Sequence, residues 1–445
     1  MKRANYHILF ILFITSNLFL SSITYSQWTV CGNLAGISGR PTVAVADENT
    51  VYVTGGSTVN VTYKTTNGGT SWINLNTGAF SPFFCLWAKD ANTIFAGDNG
   101  ATGAGKLYKT TDGGLFWTVV DSVIGGGFGG VKFSLSMPSF GAAFSSNTTD
   151  IVVLKTRDGG NTWSRTSVPL FPGYDLSISG YNVIDSLFYA MGTVSGPPAV
   201  ILTTNGGLAY NLQEVGLPSA GGNFTRGIAF KEDKLTGIAA STSLPLIART
   251  TNGGINWTNI TVGSFASSTT TPVMRWIEGT NTCYITTPYS SGILKSINGG
   301  LNWTEMSTAG NAAFNIETKR IGSTVYGYAV GFFNGAINPV LKITDQIAGI
   351  YNISSEIPEA YSLKQNYPNP FNPVTNFEFG ISKLGFVSLI VYDVRGKEVA
   401  ALVNARLSPG TYKYNFDGSN LPSGVYFYKL EADGFVDTKK MYLVK

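Results

Sequence analysis

Histidine is almost missing from this chain. The only one, His7, lies in an N-terminal segment expected to be removed, so the mature protein has none. That excludes Ser-His-Asp triads, Cys-His dyads and histidine-ligated metals. Cysteine is nearly as scarce. Cys31, Cys85 and Cys283 are odd in number, form no CxxC pair for a thiolate zinc site, and sit in strand-like runs where a small buried hydrophobe is the ordinary role. Charged residues make up only 13%, with 30 basic against 26 acidic. Losing Lys2 and Arg3 with the leader leaves a formal charge of +2, which gives no electrostatic case for a nucleic acid or an anionic bilayer as partner. Long apolar runs are also lacking. The longest, Ile8 to Leu20, is broken by Thr15-Ser16-Asn17 and falls short of the roughly 20 residues a membrane span needs. No metal or cofactor is expected, and the mature chain is expected to be a monomer without a transmembrane segment.

What the chain does have is glycine, 53 residues of it, and aromatics at 13%. Such a composition favours many short strands joined by tight turns over helices. At 445 residues there is room for two or three domains with separate cores. Residues 1–26 read as a signal peptide: Lys2-Arg3, then the apolar run, then Thr24 and Ser26 at the −3 and −1 positions of a cleavage near Ser26. The remainder should be soluble or surface-attached.

Internal repetition dominates the mature chain. Thr65-Thr66-Asn67-Gly68-Gly69-Thr70-Ser71-Trp72 recurs around Asp112 with Trp117, Asp158 with Trp163, Asn205 with Tyr210, Asn252 with Trp257, and Asn298 with Trp303. The Asn/Asp positions advance by 45, 46, 47, 47 and 46 residues, so one structural unit occupies each repeat. A further step of 47 lands on Asp345 in Leu341-Lys342-Ile343-Thr344-Asp345, a decayed seventh copy without Gly-Gly or Trp. Its missing Trp strand is expected from the other end of the chain, because Trp28-Thr29-Val30 lies 44 residues before Trp72. Between boxes run short alternating segments such as Thr42 to Val45, Val51 to Val53 and Val61 to Lys64, so each unit holds four strands. Four-stranded units of this length are propeller blades, whereas β-helix rungs are much shorter. The expected fold class is all-β: a seven-bladed propeller over residues 27–352, then a small C-terminal β-sandwich.

In each box the Asn or Asp side chain can accept backbone N–H bonds from the turn, and Gly-Gly supplies the positive φ angles. The Trp opens the outer strand and buries its face against a neighbouring sheet. The box resembles the Asp-box, or BNR, repeat of sialidases, sortilin-type receptors, xyloglucanases and photosystem II assembly-factor propellers. In those families it is a turn far from the central channel, so the resemblance implies a structural role for Asn67, Asp112, Asp158, Asn205, Asn252, Asn298, Asp345, Trp72, Trp117, Trp163, Trp257 and Trp303.

After Asp345 the periodicity stops. The polar stretch 353–358 reads as a linker, and residues 359–445 as a second domain. Three prolines between Pro368 and Pro373 force an extended lead-in, and short strand patterns at Val387 to Asp393, Gly410 to Phe416 and Gly424 to Leu430 suggest a small sandwich, such as a carbohydrate-binding module. The Gln365-Asn366-Tyr367-Pro368-Asn369-Pro370-Phe371-Asn372-Pro373 lead-in, the hairpin around Tyr392-Asp393-Val394-Arg395-Gly396-Lys397, the strand Leu421 to Leu430 and the terminal Lys439-Lys440-Met441 resemble type A sorting domains of type IX secretion cargo. That resemblance implies Sec export, an outer-membrane translocon as partner of residues 359–445, removal of the tag on release or surface attachment, and a Bacteroidota-like envelope.

Two function classes remain for the propeller. One is a non-catalytic module that binds a glycan or a protein. The other is a secreted glycosidase of sialidase or xyloglucanase type, whose carboxylate, tyrosine and arginine chemistry needs no histidine. Arg40, Arg226 and Arg275 fall near the starts of the expected inner strands of blades one, five and six, and could clamp an anion. The sialidase Phe-Arg-Ile-Pro signature is absent, and no Tyr-Glu nucleophile pair stands out. Asp98 and Asp175 could face the channel without an identifiable partner, so no catalytic residue is assigned. The run Gly100 to Lys106 imitates a phosphate-binding loop, but Leu107 replaces the Ser/Thr and a strand comes next in place of a helix.

Overall fold

The computed structural model describes residues 27–445 except positions 76, 78, 79, 147–150, 170, 174, 175, 194, 195, 219–224, 242–245, 263–271, 287–291, 309, 323, 332–336, 347, 348, 355, 356 and 408. The expected signal peptide lies outside the described residues. No helix among them is long and apolar enough to cross a membrane. Regular structure is all strand, arranged as nine four-stranded antiparallel sheets. Seven are blades of a propeller and two form a C-terminal sandwich.

Each repeat supplies its blade in chain order, starting with Thr42–Val45, Val51–Gly55, Val61–Thr65 and Ile73–Asn74 in blade 1. The innermost strands of blades 2 to 6 are Phe83–Ala88, Gly127–Phe133, Leu176–Val183, Thr225–Phe230 and Met274–Trp276. Blade 7 is composite. Asn315–Ile321, Thr324–Val330 and Ile337–Gln346 come from the seventh repeat, and the outer strand is Thr29–Ala35, paired antiparallel with Ile337–Gln346 from Thr29 opposite Lys342 to Ala35 opposite Ile337. The expected closure by the N-terminal strand therefore holds. Trp28, immediately before it, is 1% exposed and meets Tyr284 of blade 6 edge to face at 6.2 Å.

Successive blades bury aromatic and β-branched faces against each other, which is why second-strand residues such as Tyr52, Phe95, Tyr189 and Tyr284 are fully buried. The box turns connect third and outer strands. The Thr or Ser two residues before the Asn/Asp is the hub: Thr156 Oγ1 donates to Asp158 Oδ1 at 2.8 Å and accepts the Gly160 N–H at 2.8 Å. Asp158 in turn accepts the Asn161 and Thr162 N–H groups at 2.9 and 3.0 Å. Thr65, Thr110, Thr203, Thr250 and Ser296 make the same pair of bonds in their own boxes. Only glycine fits at Gly160, where φ is 86° and a Cβ would come within 2.2 Å of the Phe95 ring.

A cation one residue before that hydroxyl, or before Ile343 in its place in blade 7, reaches across to the next blade. Lys64 Nζ donates to Gly113 O at 3.5 Å, Lys109 to Gly160 O at 3.3 Å, Lys155 to Gly206 O at 2.9 Å, Arg249 Nε to Gly299 O at 2.6 Å and Lys342 to Gly68 O at 2.8 Å. These charge-assisted bonds staple blade to blade around the ring. Blade 4 has Leu202 in that position, buried in the apolar interface with blade 5.

Asp345 corrects the box reading. It sits within the strand Ile337–Gln346 opposite Val325, is 5% exposed, and accepts bonds from Tyr284 and Lys295 of blade 6. With no Gly-Gly after it the chain cannot turn there, so its carboxylate instead replaces the glycine carbonyl as the acceptor for the blade 6 staple. The half-buried Trp72, Trp117, Trp163, Trp257 and Trp303 open the outer strands as expected. Trp117 packs 5.2 Å from Phe83, and Trp72 donates to Cys31 O at 3.2 Å on the closing strand.

The sandwich pairs one sheet of Gly349–Ser354, Gly410–Asp417, Val374–Ile381 and Ser362–Leu363 with another of Glu398–Leu407, Gly385–Asp393, Gly424–Ala432 and Phe435–Leu443. Phe377, Phe379, Leu389, Val391, Tyr428 and Leu430 are its fully buried centre. The expected linker at 353–358 needs correction. Ile353 and Ser354 belong to an edge strand, Gly349–Ser354, that pairs with Gly410–Asp417, so the second domain begins by Gly349. Edge strands tolerate polar residues because one side faces water, and that polarity imitates a linker.

Thr156→Val strands the buried Gly160 N–H and should cost about 1–3 kcal/mol in urea unfolding, while Asp158→Ala should destabilise in the same direction. Bonds from the Thr162 hydroxyl and backbone hold the Asp158 carboxyl well below its usual value of 3.8, so its contribution is complete above that pH and should disappear on further acidification. The domain boundary is open to its own test. A chain cut after Gln346 should melt cooperatively as a propeller, whereas a sorting module starting at Gln365 should be less stable than one starting at Gly349; equal midpoints for the two modules would contradict the placement of the edge strand.

Candidate functional site in the central channel

The seven innermost strands converge on one channel. At the end where they begin it opens into a funnel enclosing about 740 Å³ of solvent-continuous space, lined by residues from all seven blades, among them Arg40, Phe84, Tyr181, Pro272, Arg275 and Asn315. Towards the other end lies a narrower space of about 420 Å³ walled by Lys132, Asn182, Glu232, Arg275 and Trp276. No Asn, Asp or Trp of a box lines either space among the described residues. Strand direction puts the box turns at the opposite end from the funnel.

The structure brings two of the three candidate arginines to the funnel. Arg40 precedes the first strand of blade 1, and its guanidinium lies 5.6 Å from the centre of the Phe84 ring. Arg275 lies deeper, donating Nε–H to Glu317 Oε2 at 2.9 Å and Nη1–H to Met274 O at 2.9 Å. Burial is the largest influence and works against its charge, yet Glu317 together with Tyr181 and Cys283 outweighs it, and the guanidinium titrates above its ordinary value. Arg226 belongs to the strand Thr225–Phe230 beside Gly227, which lines the funnel, but its side chain lies outside the described residues. A three-arginine clamp is thus not what the described side chains form, because Arg275 is already committed to a carboxylate.

Asp98 is fully buried and accepts bonds from the Gly100 and Lys106 N–H groups at 3.0 and 2.8 Å and from the Tyr108 hydroxyl at 3.1 Å. It closes the glycine-rich loop between two strands of blade 2 and leaves no free group for catalysis. Asp175 lies outside the described residues. The three cysteines are unpaired, with Cys85 and Cys283 buried. Burial pushes the Cys31 thiol up to about 11 and Cys85 to about 12, which keeps both protonated and unreactive.

Sequence reasoning missed four channel groups: Lys132, Tyr181, Glu232 and Glu317. Lys132 does carry a signal, as a charge inside the otherwise apolar innermost strand Gly127–Phe133. Burial and then the nearby Arg275 charge push the Lys132 ammonium from 10.5 down to about 8. Burial pushes the Glu232 carboxyl up. Strands from blades 3, 5, 6 and 7 thereby bring ionisable groups separated by more than a hundred residues to one axis.

The lead-in of the C-terminal module is equally specific in its packing. Asn366 is 2% exposed, donates to Thr375 Oγ1 at 2.9 Å and Pro368 O at 3.1 Å, and gives its backbone N–H to the Tyr428 hydroxyl oxygen at 2.7 Å. Phe371 plugs the end of the sandwich against Phe416, and Asp393 accepts the Arg395 and Lys397 N–H groups at 2.8 and 3.0 Å to shape the hairpin. Residues 365–444 match the family model described as the secretion system C-terminal sorting domain. The C-terminal module is a type IX secretion sorting domain. The protein is accordingly built for export to the cell surface or the surroundings.

No curated protein is significantly similar to the chain in sequence. Solved structures are similar in fold. YCF48 from Cyanidioschyzon merolae is 13% identical at a TM-score of 0.47, over 71% of this chain and 98% of that one. The GH74 xyloglucanase of Xanthomonas campestris is 16% identical at 0.46 over 66% of this chain, which spans only 51% of the enzyme's length. An ancestral GH74 enzyme is 15% identical at 0.49, over 94% of this chain and 63% of its own.

Glu317→Gln removes the charge that compensates the buried Arg275 and should cost about 3–5 kcal/mol, read as a lower urea midpoint, because an uncompensated buried charge is left behind. Lys132 gives a pH signature of opposite kind. Between about 8 and 10.5 the unfolded chain keeps a proton that the folded protein has released, so this group makes stability rise with pH across that window. Lys132→Met should flatten the rise; an unchanged profile would mean the ammonium is not buried as described.

Proposed function

We propose that the mature protein is a secreted or surface-displayed propeller that binds a glycan or protein ligand at the funnel, without catalysis, and that type IX export through residues 359–445 delivers it there. The observation that carries this reading is the make-up of the funnel wall. Arg40, Phe84, Tyr181, Arg275 and Asn315 offer cationic, aromatic and amide groups, while no Asp or Glu occurs among its described lining residues. A glycosidase needs two carboxyl groups flanking the scissile bond, roughly 5 to 10 Å apart. Glu317, two residues beyond Asn315 of that wall, is occupied by Arg275. Arg40 stacked near Phe84 and the Tyr181 ring are the kind of planar surfaces on which sugar rings and peptide side chains rest.

The leader is cleaved near Ser26 in this reading, the mature chain is a monomer, and nucleic acid plays no part. A glycan array together with a fluorogenic glycoside panel tests it. Retention of a glycan or surface protein, weakened about tenfold or more by Arg40→Ala, with no glycoside turnover, is the expected result. Turnover that survives Arg40→Ala but is lost on changing a channel carboxylate would instead establish the glycosidase.

A further inference from the structure

The narrow end of the channel holds the ammonium of Lys132. Lys132 lines that space with Asn182, Glu232, Arg275 and Trp276. Among the described residues its Nζ has no ion-pair or hydrogen-bond partner. The carboxylates whose charge reaches it are poorly placed to serve. Glu317 is bound by Arg275 at 2.9 Å, and burial favours the uncharged form of Glu232. Two further donors accompany the ammonium. Asn182 is 4% exposed and spends its Oδ1 on the Phe230 N–H at 3.3 Å, leaving its NH₂ without a partner among the described residues. Arg275 uses Nε and Nη1, which leaves Nη2.

We propose that this narrow end is an anion subsite that takes one carboxylate, received by the Lys132 ammonium, the Arg275 Nη2 group and the Asn182 amide. The inference rests on the reading of the channel as a ligand site and adds the chemistry of its deepest contact. With Glu317 spent on Arg275 and burial disfavouring a charged Glu232, the Lys132 ammonium is the charge a monoanion would meet. A phosphate dianion would leave excess negative charge beside Glu317. The two oxygens of a carboxylate can share their four lone pairs among an ammonium and N–H donors of this kind. The same carboxylate could come from a small free acid or from an acidic sugar, and the probes separate these sources.

The test uses the full mature chain at constant ionic strength in chloride, titrated by calorimetry with acetate, glucuronate and inorganic phosphate. Acetate and glucuronate should bind and phosphate should not compete. Acetate as tight as glucuronate assigns a site for free carboxylate, and tighter glucuronate assigns an acidic sugar. Lys132→Met should weaken either ligand at least tenfold, and Lys132→Arg should retain binding. If Lys132→Met does not fold, the unaltered protein still decides. Facing Lys132 are Arg275, Glu317 and Glu232, and only the lysine should lose its charge as pH climbs through about 8, so acetate affinity should fall there. Absence of carboxylate binding, tighter phosphate, or acetate binding indifferent to both Lys132→Met and pH overturns the subsite. A blank glycan array beside intact acetate binding would overturn only the broader reading of the funnel, and the converse only this subsite.

Discussion

Everything in the propeller depends on one antiparallel pairing between strands more than 300 residues apart, Thr29–Ala35 against Ile337–Gln346. Until it forms, blade 7 is a three-stranded sheet with an open edge, and blade 1 packs against an incomplete neighbour. Other contacts converge on the same seam. Trp28 fills the space beside Tyr284, Trp72 caps Cys31 on the closing strand, and Lys342 crosses to Gly68 of the first box. The blade-to-blade staples extend that logic around the ring. Each spends the alkyl stem of a lysine or arginine in an apolar interface and its charge on a carbonyl of the next blade.

The fold was legible because repetition multiplies a weak local signal. One Asn-Gly-Gly turn means little, while six at nearly constant spacing fix strand number, blade number and the orphan strand at Trp28. The hub hydroxyls at Thr65, Thr110 and Thr156 recur just as faithfully, yet stayed hidden beside the Asn or Asp whose turn chemistry is familiar. The cations at Lys64, Lys109 and Lys155 were invisible for another reason: their acceptors belong to the next repeat, and no pattern within one unit points across a blade interface. A second family of turns, in which Asp47, Asp90, Asp185 and Asp233 each accept two backbone N–H bonds, joins first and second strands and was likewise hidden by irregular flanking sequence. Asp345 shows the converse failure, where spacing was right and local chemistry was not.

The channel was far less legible. Its groups occur once each, not once per repeat, so periodicity says nothing about them. Arg275 could be picked out as a charge near the start of an inner strand, but its commitment to Glu317 is a contact between neighbouring blades that needs coordinates to see. Lys132 stands out in Gly-Val-Lys-Phe only as a lone charge in an apolar run, and nothing in that run says what the charge faces. Fold information is thus written redundantly in the chain and site information only once, which explains why the architecture could be read and the ligand could not.

Only two residues separate the end of the ring-closing partner, Gln346, from the first strand of the sorting domain at Gly349. A ribosome therefore delivers the last piece of the propeller and the export label back to back. No chain can present the label without already containing every blade, and a chain broken off early carries blades but no address. The order of segments acts as a completeness check: machinery that recognises only the small sandwich selects, without inspecting the propeller, for molecules that have all they need to close.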